Sequence, residues 1–282
     1  MPRPAGPSTE TLPPFPLKRP ARSADFWSVS LFELVLDPPR TPEPASRHLA
    51  IVPAFNEAGS VGRVIDEIRA SEPGFEVLVV DDGSTDDTAA VARAHGARVV
   101  SLPFNLGIGG AVQTGYRYAR DQGFDLAVQV DGDGQHDARE LAPLVEPVLA
   151  GAADLAVGSR FAGSGEYRAP AARRLGIRLF ARAISRIAGQ RVTDTTSGFR
   201  AANRRAIELF AADYPHDYPE VEATVMVVKE HLRLVEVPVS MRKRAAGRSS
   251  ITAARSVYYM AKVLVALFVG LFRAPSLSPE RP

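Results

Sequence analysis

The chain has 282 residues, with 34 Lys and Arg against 32 Asp and Glu, a net charge of +2 that is too balanced to argue for a nucleic-acid partner. Its hydrophobic content of 45% and charged content of 23% are those of an ordinary globular protein with an ample core. There is no Cys, which excludes disulfides, thiolate zinc sites and Cys nucleophiles, and the N-terminus lacks the basic-then-apolar pattern of an export signal.

Residues 1–47 hold nearly half of the 23 prolines, as in Leu12-Pro13-Pro14-Phe15-Pro16. Such a stretch can neither pair into a sheet nor continue a helix, so it is expected to be a mostly disordered extension. Asp25 to Leu36 is the exception, apolar enough to want a surface on the domain, a partner or a membrane. From His48 a strand-then-helix rhythm begins. Strands are predicted at Leu49–Pro53, Phe75–Val80, Ala97–Leu102, Leu126–Val130 and Asp154–Gly158. Helices alternate with them at Ser60–Ala70, Asp86–His95, Gly107–Asp121 and Asp137–Leu149. This alternation predicts an α/β fold with a mainly parallel sheet and helices on both faces.

After Gly158 the rhythm changes. A Gly-rich loop to Pro170 precedes an Arg-studded helix, Ala171–Ala188, and the loop Thr193–Arg200 leads to a helix at Arg204–Phe210. A further helix at Val221–Glu230 and a strand at Arg233–Val239 follow, then a basic turn, Arg242–Ser250. The helix Thr252–Phe272 is apolar on nearly all sides, but its longest unbroken apolar run, Val263–Phe272, is too short to cross about 30 Å of hydrocarbon. It is expected to lie on a membrane surface or against a small membrane subunit, or to mediate homo-oligomer formation. The domain division is therefore an extension at 1–47, a catalytic domain at 48–250, an apolar helix at 251–272 and a tail at 273–282.

The chemistry concentrates at the predicted strand ends. Val128-Gln129-Val130-Asp131-Gly132-Asp133-Gly134-Gln135 closes a strand with two carboxylates one glycine apart. Strand alternation sends both to one side, and two hard oxygen ligands there suit Mg²⁺ or Mn²⁺ held jointly with a diphosphate. In isolation the pair reads equally as a solvated Asp-Gly turn; its place at a strand's carboxyl end, where open α/β sheets bind ligands, favours the functional reading. Pro53-Ala54-Phe55-Asn56-Glu57 and Asp81-Asp82-Gly83-Ser84 lie off the first two strands, where a base and ribose would sit. Asn105-Leu106-Gly107-Ile108-Gly109-Gly110 opens a helix after a strand. Val112 stands where a dinucleotide fingerprint needs Gly or Ala, so that reading fails, while backbone N–H groups at the helix start remain available to a diphosphate.

With Gly158-Ser159-Arg160-Phe161 and Asp194-Thr195-Thr196-Ser197-Gly198-Phe199-Arg200, these motifs occur in an order that resembles family-2 glycosyltransferases of the polyprenyl-phosphate (dolichyl-phosphate) mannose synthase type, over about residues 48–250. The resemblance implies a GT-A fold, a nucleotide-diphosphosugar donor, a divalent cation and direct, inverting transfer. By position it implies that Pro53, Phe55, Glu57 and Asp82, with Asp81, Asn105 and Gly107 beside them, hold the nucleotide. It assigns Asp131, Asp133 and Gln135 to the metal and diphosphate. Arg160 and one of Arg173 and Arg174 match arginines that face the acceptor phosphate, and Gly163–Arg168 matches a mobile acceptor loop. The chain departs from the type in lacking transmembrane helices and in its Tyr214–Glu220 segment.

The expected function is hexose transfer from a UDP- or GDP-sugar to a polyprenyl phosphate by a peripheral enzyme on the cytoplasmic face of the cell membrane. A hydroxyl acceptor on a saccharide or small molecule is the main rival and would need a base, for which Asp194, His216, Asp217, Glu220 and Glu222 are candidates. A non-catalytic nucleotide-sugar-binding subunit is the second rival, and the intact Asp131, Asp133 and Arg160 speak against it.

Overall fold

The unbroken apolar run Leu49-Ala50-Ile51-Val52-Pro53-Ala54 gives a strand, β1 (His48–Ala54), in which every residue after His48 is buried, as a strand covered on both faces requires. The structure is a computed structural model and describes residues 46–162, 185, 192–194, 196–216 and 219–242. After β1 come α1 (Val61–Ser71), β2 (Phe75–Asp81), α2 (Thr88–Ala94), β3 (Arg98–Ser101), α3 (Gly107–Asp121) and β4 (Leu126–Gln129). A 3₁₀ turn at Ala138–Glu140, capped by the Asp137 side chain, leads into α4 (Leu141–Leu149). Then follow β5 (Leu155–Ser159), β6 (Arg200–Asn203), α5 (Arg204–Ala212), α6 (Pro219–Lys229) and β7 (Leu234–Pro238).

The seven strands form one sheet in the order β3-β2-β1-β4-β6-β5-β7. Strands β3, β2, β1 and β4 pair in parallel, as do β5 and β7. The sheet is mainly parallel, as expected; the sequence reading assigns no strand to Arg200–Asn203, yet β6 runs antiparallel between β4 and β5. Arg200-Ala201-Ala202-Asn203 has little β propensity of its own, and its conformation comes from backbone pairing on both sides. Side chains of alternate parity face two cores. Leu49, Ile51, Leu78, Val80 and Ala127 pack with Tyr116, Phe210 and Val227 from α3, α5 and α6. Ala50, Val52, Val77, Val79 and Val128 pack with Ile65, Ile68 and Leu144 from α1 and α4 on the other face.

This topology brings the motifs together. The carboxyl ends of β1, β2, β3, β4 and β5 lie at one edge of the sheet, and antiparallel β6 starts at that same edge, so Asp194–Phe199 arrives there too. The opposite edge carries no motif, and is fastened by Asp154. That side chain, 1% exposed, accepts from Arg233 Nε and Nη2, each at 3.1 Å, from the Arg233 N–H at 2.8 Å and from Asn203 Nδ2 at 2.8 Å. The Arg233 hydrogen bond, against the opposing effect of burial, holds the Asp154 carboxyl well below the usual carboxylate range. A depressed folded-state pKa contributes stability that is complete above about pH 4 and is lost as the pH falls through the folded value. Asp154→Asn is therefore expected to cost about 2 kcal/mol in urea unfolding at pH 7, and clearly less at pH 2. An equal cost at both pH values would refute this account.

Arg47, which the sequence leaves in the extension, is docked: its N–H donates to Asp125 at 3.0 Å and its guanidinium lies 4.3 Å from the centre of the Phe124 ring. Residues 1–45 of the extension, the Gly163–Arg168 loop, nearly all of the helix expected at 171–188, the basic turn after Arg242 and the helix at 252–272 lie outside the described residues. Among those described, no helix is long and apolar enough to cross a membrane.

Candidate active site

Off the common strand edge lies a cleft of about 400 Å³ lined by Pro53, Phe55, Glu57, Asp82, Asn105, Gly107, Ile108, Asp131 and Asp133, among others. Eight of the residues singled out from the sequence thus meet around one cavity. The loops forming it are stitched together. Asn56, at φ 55°, accepts from the Thr85 N–H at 2.8 Å, its own N–H donates to Ser84 Oγ at 2.9 Å, and the Glu57 N–H donates to Thr88 Oγ1 at 2.8 Å. These bonds join the β1–α1 loop to the β2–α2 loop and leave Phe55, 45% exposed, on the rim.

The two acids after β4 are placed by a turn. The strand ends at Gln129, so side-chain alternation is not what puts Asp131 and Asp133 on the same cavity. The Gly132 N–H donates to Pro53 O at 3.3 Å, and Ser60 Oγ lies 2.8 Å from Gly132 O and 2.7 Å from the Glu57 carboxylate, its single proton serving one at a time. The Asp131 carboxylate accepts from Gln129 Nε2 at 3.3 Å. His136, buried and stacked on Phe199 at 4.8 Å, accepts the Asp131 N–H on Nδ1 at 3.1 Å. That bond leaves the ring proton on Nε2, which faces Asp131 Oδ2 at 3.6 Å. Sequence reasoning passed over His136, Gln129 and Ser60, although the first two flank the acidic pair.

Among the described residues no group of three or more His, Cys, Asp or Glu side chains is arranged to hold a metal ion. The donor set still fits a hard cation: two carboxylates open to one cavity, with no nitrogen or sulfur ligand directed at it, suit Mg²⁺ or Mn²⁺ that completes its shell with diphosphate oxygens and water. Gln135 does not line the cleft; its N–H donates to Asp133 Oδ1 at 3.0 Å and its carbonyl accepts from the Arg242 N–H at 2.9 Å. It shapes the turn through its backbone.

Two expectations about the other acids change. Asp82 does line the cleft, yet its oxygens accept from the Leu106 and Gly107 N–H groups at 2.7 and 2.9 Å, and Asn105 Oδ1 also accepts from Gly107 at 3.0 Å. Those two N–H groups at the start of α3 are therefore not available to a diphosphate. Burial pushes the Asp82 carboxyl up, against the pull of the two N–H groups. Asp81 is buried off the cleft and accepts from the Ser84 N–H at 3.1 Å. Gly109 near the opening of α3 also has a packing reason: a Cβ there would lie 2.3 Å from Pro215 O and 2.8 Å from His216 Cα, so Pro215 and His216 pass tightly over the helix start.

Arg160 and Asp194, 34 residues apart, form a two-pronged pair with Arg160 Nε and Nη2 each 2.7 Å from a carboxylate oxygen. The Asp194 side chain is fully buried and Arg160 is 19% exposed. Burial alone would raise the Asp194 carboxyl, but the Arg160 hydrogen bond and charge outweigh it and hold the group below its ordinary value. A buried carboxylate held in its ionised form is a poor general base, which corrects that candidacy for Asp194. Neither residue lines the cleft. Arg173, Arg174 and Asp217 lie outside the described residues.

Residues 49–210, more than half of the chain, match the model of the family described as glycosyl transferase family 2. The chain belongs to that family. This glycosyltransferase is 32% identical over 238 residues to the polyprenol monophosphomannose synthase of Mycolicibacterium smegmatis, covering 80% of this chain and 88% of that protein. It is 33% identical over 216 residues to the undecaprenyl-phosphate mannosyltransferase of Micrococcus luteus, covering 73% and 88%. In structure it is similar to glucosyl-3-phosphoglycerate synthase from Mycobacterium tuberculosis, crystallised with Mn²⁺, UDP and glucosyl-3-phosphoglycerate, at a TM-score of 0.61 and 24% identity, with 80% of each chain covered. The likeness establishes the GT-A fold of the glycosyltransferase.

The seat of Asp131 gives a prediction specific to this enzyme. A Cβ on Gly198 would lie 2.9 Å from Gln129 Nε2 and 3.0 and 3.1 Å from the Asp131 carboxylate oxygens. Gly198→Ala is therefore expected to displace Asp131 and cost up to about a hundredfold in turnover with the fold retained, because small misplacements of reacting groups carry costs of that order. Wild-type turnover in a folded Gly198→Ala protein would show that the carboxylate has room to spare.

Proposed function

We propose that this glycosyltransferase moves a hexose from a UDP- or GDP-sugar to a polyprenyl phosphate, with inversion at the sugar carbon, as a peripheral enzyme at the cytoplasmic membrane face. The observation that carries the reading is the meeting of Asp131 and Asp133 with Pro53, Phe55, Glu57 and Asp82 around one cleft. The relatives named for polyprenol and undecaprenyl-phosphate mannosyl transfer support the acceptor class.

In this reading Phe55 and Glu57 hold the nucleoside on the rim, and Asp131 and Asp133 face the diphosphate. Asp131 and Asp133 would hold a Mg²⁺ or Mn²⁺ ion, whose charge would stabilise the departing nucleoside diphosphate. An oxygen of the acceptor phosphate attacks the anomeric carbon from the face opposite the diphosphate. The new C–O bond forms as the bond to the donor's phosphate oxygen breaks, and the bonding pair leaves with the nucleoside diphosphate. A phosphate acceptor is already anionic at neutral pH, so no residue has to remove a proton. Arg160, its plane fixed by Asp194, with Arg173 or Arg174, would pair with the acceptor's charge.

A hydroxyl acceptor is the second reading, because Glu220 is a carboxyl of the right kind. Burial pushes it up, with Arg200 opposing and Asp131 adding to the rise. Membrane attachment is assigned to residues 242–272, where basic residues precede an apolar segment.

The test incubates the full-length protein with a panel of UDP- and GDP-sugars, with and without a short polyprenyl phosphate, and reads nucleoside diphosphate release. One donor should respond to the lipid phosphate, and the protein should co-sediment with anionic liposomes. Stimulation by a saccharide and none by the lipid phosphate would replace this reading with the hydroxyl one.

A further inference from the structure

Beneath Asp131, on the sheet face covered by α3, α5 and α6, three buried polar atoms have no hydrogen-bond partner among the described residues: Gln129 Oε1, Arg200 Nη1 and Tyr116 Oη. Their residues share one face of the sheet. Gln129 and Arg200 are directly opposed across the antiparallel β4–β6 pair, so both side chains stand on the same face. Tyr116 comes down from α3 onto that face, and the charge of Arg200 acts on its hydroxyl. All three residues are at most 1% exposed.

The rest of Arg200 is firmly held. Its Nε donates to Ser197 O at 2.8 Å, and its Nη2 donates to Glu220 O and, at 3.3 Å, to Thr224 Oγ1. A full positive charge is thus fixed inside the protein, with Nη1 left without a hydrogen-bond partner among the described residues. The orientation of the Gln129 amide follows from its other end. A carboxylate oxygen accepts, so Nε2 must be the atom facing Asp131 Oδ1, and Oε1 then points back into the layer. A donor, an acceptor and a hydroxyl left over on one buried face are the partners that a single buried water requires.

We propose that Arg200 is a positioning residue that fixes the Asp131 carboxylate through Gln129, by way of one buried water shared with Tyr116. The water accepts from Arg200 Nη1, donates to Gln129 Oε1 and makes its third bond with the Tyr116 hydroxyl. Arg200 thereby locks the amide in the orientation that presents Nε2 to Asp131. The proposal rests on the reading of Asp131 as a group that faces a cation and diphosphate. Groups that hold a metal-binding carboxylate from behind change metal affinity when removed, without touching metal or substrate.

The experiment titrates Mn²⁺ into the full-length protein with UDP or GDP present, following free Mn²⁺ by electron paramagnetic resonance, with a thermal melt of each variant. Gln129→Met, close in size, should weaken Mn²⁺ binding about tenfold. Tyr116→Phe, which removes only the hydroxyl, should weaken it about threefold, a share of the same effect. Arg200→Met should match Gln129→Met, and Arg200→Lys, which keeps a charged donor, should recover part of the loss. If Arg200→Met does not fold, Gln129→Met and Tyr116→Phe decide the matter. Variants that melt earlier but bind Mn²⁺ as the wild type does would reduce the network to core packing and overturn the proposal. Asp131→Asn separates the two claims. If it binds Mn²⁺ normally, the site reading fails and takes this inference with it. If it loses Mn²⁺ while folded Gln129→Met keeps wild-type affinity, only the relay is wrong.

Discussion

Asp133→Asn is expected to lower transfer by about a thousandfold or more while leaving the melting temperature close to the wild-type value. The proposed work of this carboxylate is on the leaving group, and losing about 4 kcal/mol of charge stabilisation there corresponds to three decades in rate. Asp133 lines the open cleft, and the bond it accepts from the Gln135 N–H needs only an oxygen, which Asn also provides. Chelation should reproduce the loss in the wild-type enzyme. Full turnover in excess chelator, or an active Asp133→Asn protein, would remove the cation from the account.

Arg160 offers the second large effect, and it has two separable parts. Arg160→Ala leaves the fully buried Asp194 carboxylate without its cation, a situation that costs about 3–5 kcal/mol. In the wild type Asp194 is held below its ordinary value, so the pair contributes stability that is complete above about pH 4 and fades as the pH falls through the folded value. In Arg160→Ala the lone carboxylate penalises the fold above pH 4, so the variant's deficit should narrow on acidification. Adding Asp194→Asn should restore much of the stability at pH 7. It should not restore use of a phosphate acceptor, if the Arg160 charge is what binds it. Urea unfolding and acceptor saturation, measured on the two single variants and the double, read the parts independently. Recovery of both by the double variant would make Arg160 a structural residue only.

How far the sequence reaches is visible in these same residues. The strand ends and the acids after them were legible because β1, β2 and β4 are apolar runs cut off sharply by Asn56, Asp81 and Asp131, and local patterning suffices to find such points. Helix α3 was predicted to the residue, since apolar spacing and an opening glycine mark it. Strand β6 was not legible, because Arg200–Asn203 is a strand only through neighbours that lie some 45 and 74 residues earlier in the chain. The Arg160–Asp194 pair is hidden for the same reason. The role of Asp82 was misjudged for another: a carboxylate beside a cleft looks like a ligand-binding group until the backbone N–H groups of Leu106 and Gly107 are seen to occupy it. Arg200 closes one of the motifs, but its burial gave no signal, since composition cannot tell a solvated arginine from one packed under a sheet.

The central claim is that the sugar ends on a phosphate oxygen, with inversion. Its most direct test is phosphorus and proton nuclear magnetic resonance of the product formed from a short polyprenyl phosphate and the responsive α-linked nucleotide sugar. The account predicts that the acceptor's phosphomonoester signal is replaced by that of a phosphodiester coupled to the anomeric proton of a β-linked sugar. A phosphomonoester that persists while the sugar appears on a hydroxyl or free in solution, or an α-linked phosphodiester, would contradict it.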